Sequence, residues 1–360
     1  MKRIGNFINY FFIGFSFLTS KKIIVILIMV LFIGLIQDSY GYKYKEELSE
    51  KEEKTIYDKG NPNIEYYYDV DKVLGYDDST GINKLLNCYQ KGIEESDFSV
   101  ELKNSIEKLK SFYNSNDGYF SFLYKDIYSG FTVSYNEGTP IFTASTIKAP
   151  AMIYLYEKAS QGEIDLEERL TYTGNFYSSG SGILKDKEVN TTYTVGELIE
   201  YAIVHSDNIA YAMLMNRFGR ENVLGFWTGL GTRQIFTLNT IWGVTSAKDA
   251  SIYIEELYRF SKENEEYGNK LLEYFKKAEW KLITDKDGEY NTASKGGWSG
   301  KAIHDVAIVF EENPYILVVM SNMGEGGYMP LFKKTSEMIG LLHEEYWKLK
   351  VEMCSNIKLY

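Results

Sequence analysis

The 360-residue chain holds only two cysteines, three histidines and five prolines. Cys88 and Cys354 lie far apart and no CxxC occurs, so neither a disulfide scaffold nor a thiol redox motif is indicated, and we expect the two to remain unpaired. His205, His304 and His343 form no HExxH, which argues against a zinc site, and no metal or organic cofactor is implied. Basic residues make no stripe beyond position 22, and the formal net charge is -11. Nucleic acid is therefore not an expected partner. What remains is ordinary for a globular protein, with 44% hydrophobic and 25% charged residues. That composition and length allow one large domain or two modest ones with a sizeable core.

Two apolar runs open the chain. Lys2 and Arg3 precede "IGNFINYFFIGFSFLTS", and Lys21 and Lys22 precede "IIVILIMVLFIGLI", residues 23 to 36. At about 1.5 Å per residue the second run spans ~21 Å, short of the ~30 Å hydrocarbon core. Its length and its lysine pair suit a signal peptide, with Ser39 and Gly41 as a weak small-x-small cleavage site. Uncleaved, it is a short anchor, and the positive-inside rule sends the remainder outside. We read 1–40 as a signal peptide or N-terminal membrane anchor, and the protein as extracytoplasmic. Residues 41–97 read as a charged stalk or linker, of which 61–97 is Tyr- and Asp-rich and receives no assignment.

From residue 98 onward the periodicities are clear. "SVELKNSIEKLKSFYNS" has helical spacing. "GYFSFLYKDIYSGFTVSYN" alternates around a turn and reads as a hairpin. A helical block follows over about 150–285, broken near Ser206 and punctuated by Gly162 and Gly219. "NTASKGGWSG", "HDVAIVFEE" and "YILVVMSN" read as strands, and "LFKKTSEMIGLLHEEYWKLK" as a closing helix. Strands on both sides of a helical insertion predict an α+β fold of two lobes. One is an antiparallel five-stranded sheet flanked by N- and C-terminal helices; the other is all-helical. A cleft between them is a natural ligand site.

Three S-x-x-K patterns occur: Ser105–Lys108, Ser145–Lys148 and Ser355–Lys358. The first lies on a charged helix face and the third in a polar tail. Only Ser145 stands at a strand-to-helix junction, one turn ahead of Lys148. That pair could be a nucleophile and its base, or an N-cap followed by a surface lysine. Ser206-Asp207-Asn208 falls at the break between two helices, where all three residue types also make good caps. Lys295-Gly296-Gly297 falls in a strand, where paired glycines mark either a bulge or a close approach.

In this order, "STIK", "SDN" and "KGG" resemble the S-x-x-K, S-D-N and K-T-G set of class A serine β-lactamases and penicillin-binding serine hydrolases. "SGSGIL" before "YTVGELIEYAI", and "HDVAIV" after the KGG strand, also look like that family. The resemblance covers about residues 98 to 350 and implies the serine β-lactamase/DD-peptidase-like fold. It implies that Ser145 is the nucleophile, Lys148 its base and Ser206 a proton relay. Asn208, Lys295, Gly296, Gly297 and Trp298 would bind substrate, with the amides of Ser145 and Trp298 as oxyanion hole. A lysine can act as base if burial and a second cation, here Lys295, lower its pKa. The implied substrate is a β-lactam or a peptidoglycan stem peptide, taken by a monomer. A Ser-His-Asp triad is the rival, but the three histidines read as structural or exposed.

Two departures from the family pattern stand out. Gly296 replaces the usual Thr or Ser, removing a hydroxyl that would bind a substrate carboxylate. The family's water-activating glutamate, four residues before the Asn of "LNT" (Leu238 to Thr240), is replaced by Ile235. The nearby acids, Glu221 and Asp249, read as helix-start residues. The first reaction expected is acylation of Ser145 by a β-lactam with hydrolysis of the ring. The alternative is a penicillin-binding, DD-peptidase-like or sensor protein that acylates and then releases poorly.

Overall fold

A computed structural model describes residues 64–67, 81–115, 120–233, 235–236, 242–300, 302–322, 328–355 and 357. The apolar runs of 1–40, the charged stretch 42–60 and "LNT" lie outside the described residues. Among the described residues, no helix is long and apolar enough to cross a membrane.

The chain enters through strand β1 (Ile64–Tyr67) and helix α1 (Gly81–Gln90), both drawn from the stretch that carried no assignment. Helix α2 (Val100–Asn114) starts where Ser99 accepts a hydrogen bond from the Leu102 amide at 3.1 Å. It buries Leu102, Ile106, Leu109 and Tyr113, one face of a 3.6-residue repeat. Strands β2 (Phe120–Asp126) and β3 (Thr132–Tyr135) form the expected hairpin, turned at Gly130 with φ +70°. Contrary to the alternation read from sequence, every residue of β2 is buried. Helices cover both faces of this sheet, so neither face needs to be polar.

Next come β4 (Ile141–Phe142), a 3-10 turn at Ala144–Ile147 and helix α3 (Lys148–Ser160). The helical lobe continues through β5 (Arg169–Thr171), β6 (Thr192–Thr194), α4 (Val195–Val204), α5 (Asn208–Phe218) and α6 (Arg220–Gly229). Short strands β7 (Ile235–Phe236) and β8 (Gly243–Thr245) lead to α7 (Ala247–Glu263) and α8 (Tyr267–Lys276). Strands β9 (Thr292–Ser299), β10 (Ala302–Val309) and β11 (Tyr315–Ser321) and helix α9 (Tyr328–Cys354) finish the fold.

The sheet order is β1-β3-β2-β11-β10-β9, antiparallel throughout. The expected five strands are present, with β1 added at the edge. Pairing of β2 with β11 sets Phe122 opposite Val319, across the whole helical insertion. One apolar core joins the lobe to one sheet face through α3, α4, α5 and α7. A second, ring-rich core lies between the other face and α2 and α9.

One expectation is overturned at this end of the molecule. Cys88 of α1 and Cys354 of α9 form a disulfide across 266 residues of sequence, with Cα atoms 5.8 Å apart. Sequence distance gave no hint of the pairing, because only the packing of α1 on α9 brings the two together. Lys350 reinforces the join by donating to the carbonyls of Cys88 and Lys91.

Candidate active site

Ser145 is not a helix cap. It sits in the 3-10 turn, while α3 begins at Lys148 behind Ile147, which makes no side-chain cap bond. Nor is Ser206 a cap. Asp207 takes that role for α5, accepting from the amides of Ile209 and Ala210, both at 2.9 Å. Its other oxygen accepts from the amides of Ile183 and Leu184, both at 2.7 Å. Four amide donors make Asp207 a buried brace between α5 and the "SGSGIL" loop, and leave the Ser206 hydroxyl for other partners. Ala144 and Ser206 both hold positive φ, +43° and +52°, a conformation costly for residues with a Cβ. Each flanks or belongs to the site.

Lys148 is fully buried and gathers the site around its Nζ. Within 3.2 Å lie Ser145 Oγ (3.1 Å), Ser206 O (2.5 Å), Ser206 Oγ (3.2 Å) and Asn208 Oδ1 (2.7 Å). Two of these, the Ser206 carbonyl and the Asn208 amide oxygen, can only accept, and they are the nearest. A neutral amine has two N–H donors for them and a lone pair for a hydroxyl proton. Burial, and then the charge of Lys295, hold the Lys148 pKa well below the ordinary lysine value. Lys295 is itself buried. It donates to Ser206 Oγ at 3.0 Å and to Gly296 O at 2.8 Å, and burial lowers it to about 8.

Strand β9 delivers Lys295 and closes on Ser145. A Cβ at Gly297 would stand 2.8 Å from the amide nitrogens of both Ser145 and Thr146, so only glycine permits this approach. Ser181 donates to the Ser206 carbonyl at 2.8 Å, and Asn208 Nδ2 donates to Ser179 O at 3.1 Å. The lobe and the sheet therefore meet at one point, with Ser145, Lys148, Ser206, Asn208, Lys295 and Gly297 in contact. Trp298 follows on β9 with its side chain exposed, its ring nitrogen donating to Gly300 O.

The family described as "Beta-lactamase enzyme family" matches residues 101–341. The chain belongs to this family. A β-lactamase from Bacillus licheniformis is 29% identical over 126 residues, which is 35% of this chain and 39% of that relative. The match thus spans about two fifths of that relative's length. Among solved structures, a mutant of PBP-A described as an acyl-enzyme complex with penicillin G superposes with TM-score 0.60 and 21% identity. It covers 68% of this chain and 96% of that one. A β-lactamase from Sphaerobacter thermophilus gives TM-score 0.56 and 18% identity over 72% of this chain and 98% of that one. At such identities these two likenesses are likenesses of fold.

The residues of the three motifs meet around Lys148, and each histidine is hydrogen-bonded to other partners. His304 is buried, donating from Nε2 to Phe142 O at 2.8 Å and accepting from the Ser321 amide at 3.2 Å. His343 bridges the Tyr124 hydroxyl and Asn313 O, both at 2.8 Å. His205 pairs with Glu279 at the surface. The family's hydroxyl at position 296 has no room here. A Cβ on Gly296 would overlap the Trp280 ring and stand 2.9 Å from the Trp280 carbonyl. Glu221 lies in the first turn of α6, and Asp249 in the first turn of α7, where it accepts from the Arg233 amide. Ile235 belongs to β7, whose backbone pairs with β8 at Val244.

Three contributors escaped the sequence reading. Asp207 had looked like one capping residue among three. Ser181 lay inside the quoted "SGSGIL" but had no role. Trp242 places its ring 5.7 Å from Lys148 Nζ. What no local pattern marked is the reach of Asp207 to the "SGSGIL" loop, the bond of Ser181 to Ser206 and the place of Trp242 beside Lys148, because these partners lie on other elements.

Proposed function

We propose that this β-lactamase-family chain is a serine hydrolase that opens a β-lactam ring by acylating Ser145 and then hydrolyses the Ser145 ester to release the ring-opened acid. The observation that carries this reading is the buried, down-shifted Lys148 amine, 3.1 Å from Ser145 Oγ and bonded to two oxygens that can only accept. Lys148 takes the Ser145 proton as Oγ bonds to the lactam carbonyl carbon. The amides of Ser145 and Trp298 hold the developing oxyanion. The C–N bond then breaks. Ser206, 3.2 Å from Lys148 Nζ and 3.0 Å from Lys295 Nζ, passes a proton to the leaving nitrogen. Asn208 and the 296–298 strand edge orient the substrate, and Lys295 supplies the positive charge that faces its carboxylate.

A second reading is that release is slow, in the manner of a penicillin-binding or stem-peptide-binding protein. The observation favouring it is chemical. From Asn222 to Lys248 the chain has no carboxylate, and this is the segment that follows the lobe helices back to β8. An intact-mass time course with penicillin G tests both. A mass increase that decays as penicillin is consumed supports turnover. A persistent increase supports slow release, and no increase sinks both. For location, residues 1–40 would carry a monomeric domain out of the cytoplasm. The Cys88–Cys354 disulfide supports that, since such bonds persist in oxidising compartments.

A further inference from the structure

Hydrolysis of a Ser145 ester needs a water at the carbonyl carbon and a base to take its proton. The water oxygen bonds to the acyl carbon, the bond from that carbon to Ser145 Oγ breaks, and Oγ regains a proton. Lys148 is the buried amine nearest to Ser145, and its surroundings decide whether water can reach it. Its Nζ is enclosed by the oxygens of Ser145, Ser206 and Asn208, and the Trp242 indole lies 5.7 Å away. The ring is held in place. Its centroid is 6.2 Å from that of Tyr211, a fully buried residue of α5, and 6.4 Å from that of Phe142 on β4. Tyr211 anchors it from the lobe, and Phe142 from the strand that leads into Ser145. Lys148 retains no solvent exposure, whereas Ser145 retains 8%. Ser145 thus keeps a small opening to solvent, and Lys148 has none.

We propose that Trp242 is a positioning residue that shields Lys148 from water and so sets the lifetime of the Ser145 acyl-enzyme. The claim rests on the slow-release reading above and supplies a physical cause for it. An aromatic wall suits acylation, which brings its own proton donor in the Ser145 hydroxyl. It obstructs only the later step, which needs an added water. The ring thereby separates two half-reactions that share one base.

The test follows adduct formation and decay by intact mass on the full chain with penicillin G, comparing the parent with Trp242→Leu and Trp242→Phe. Leucine keeps apolar volume but opens the wall; phenylalanine keeps an aromatic wall. Trp242→Leu should speed adduct decay by about tenfold or more, part of the roughly 10²- to 10⁴-fold that a fully accessible general base contributes. Its rate of adduct formation should stay within about threefold of the parent, and Trp242→Phe should retain the slow decay. Unchanged decay in Trp242→Leu overturns the proposal. So does slower formation with unchanged decay, which would make the ring a support for Lys148 alone. A parent adduct that vanishes within one turnover also overturns it while leaving acyl transfer intact. A parent that forms no adduct overturns the acyl-transfer reading itself. If the leucine variant does not fold, Trp242→Phe still decides, since decay as fast as turnover in a folded ring-bearing variant contradicts a ring-based shield.

Discussion

Lys148 and Lys350 are both buried lysines with lowered pKa values, one on each side of the sheet, and they do different things. Lys350 donates to the carbonyls of Cys88 and Lys91 and is lowered to about 8 by burial. Carbonyls have no proton to give, so this amine can only tie α1 to α9. Lys148 faces two hydroxyls as well as two pure acceptors, and a second cation stands behind one of those hydroxyls. Burial lowers both amines, but only the one with a hydroxyl neighbour can become a base. Thus the lobe side of the sheet gathers hydroxyls around a buried amine, and the α9 side uses a disulfide and stacked rings for cohesion.

The sharpest way to break this contrast is at Ser145, the proposed nucleophile. Ser145→Ala should abolish the penicillin adduct in intact-mass spectra, and an adduct that survives removes Ser145 from its role. Lys148→Met should slow acylation by roughly 10²- to 10⁴-fold, the range expected for loss of a general base. Lys350→Met, by contrast, should leave the acylation rate within about twofold while lowering the melting temperature. Equal effects of the two methionine variants on acylation would erase the distinction.

Opening the clip is next. Cys88→Ser or reduction should lower stability by about 3–5 kcal/mol, as expected for release of so long a loop. Acylation should be nearly unchanged below the melting temperature. Denaturant titration with and without reductant reads the first effect, and adduct formation reads the second. A proportionate loss of acylation would mean that the two sides of the sheet are coupled. Gly297→Ala tests the close approach of β9. Its Cβ has no space against the Ser145 and Thr146 amides, and acylation should fall by about 10²-fold, comparable to loss of an oxyanion donor.

Acidity should separate the regions more gently. Lys148 must be neutral to act, so acylation falls as pH drops and it gains a proton. Lys295 is lowered to about 8. Above that it loses the charge that holds Ser206, and acylation falls again. Lys295→Arg should remove the upper fall, and an unchanged alkaline limb would show that another group causes it. Stability responds elsewhere. Burial lowers His304 and His343 to about 4. Between about pH 6.5 and 4 the unfolded chain binds more protons at these sites, so stability is lost as pH falls. The loss is on the order of 3 kcal/mol per histidine. Denaturation midpoints at pH 7 and pH 4, with His343→Gln as a flattened control, measure it.

Much of this organisation was legible in the chain alone. Helices α2, α3, α4, α5, α7, α8 and α9 follow from apolar spacing and from stops such as Gly162 and Gly219. Strands β10 and β11 follow from short apolar runs. Each signal is local, because side-chain period and backbone conformation depend on near neighbours. The residues of the site came from a resemblance instead: "STIK", "SDN" and "KGG" stand in the order of the β-lactamase family's motifs.

Only tertiary structure decided what those residues could do. Whether Ser145 and Ser206 cap helices or face Lys148 depends on Ile147 and Asp207 taking the helix-start positions. Whether Lys148 is a base depends on burial and on Lys295, which lies far along the chain. The Cys88–Cys354 bond, the edge strand β1, and the rings of Trp242 and Trp280 were likewise invisible. The sequence by itself determined which elements form and which chemical groups they carry. Folding determined which groups meet, because contact, desolvation and charge coupling act through space between residues that the chain keeps far apart.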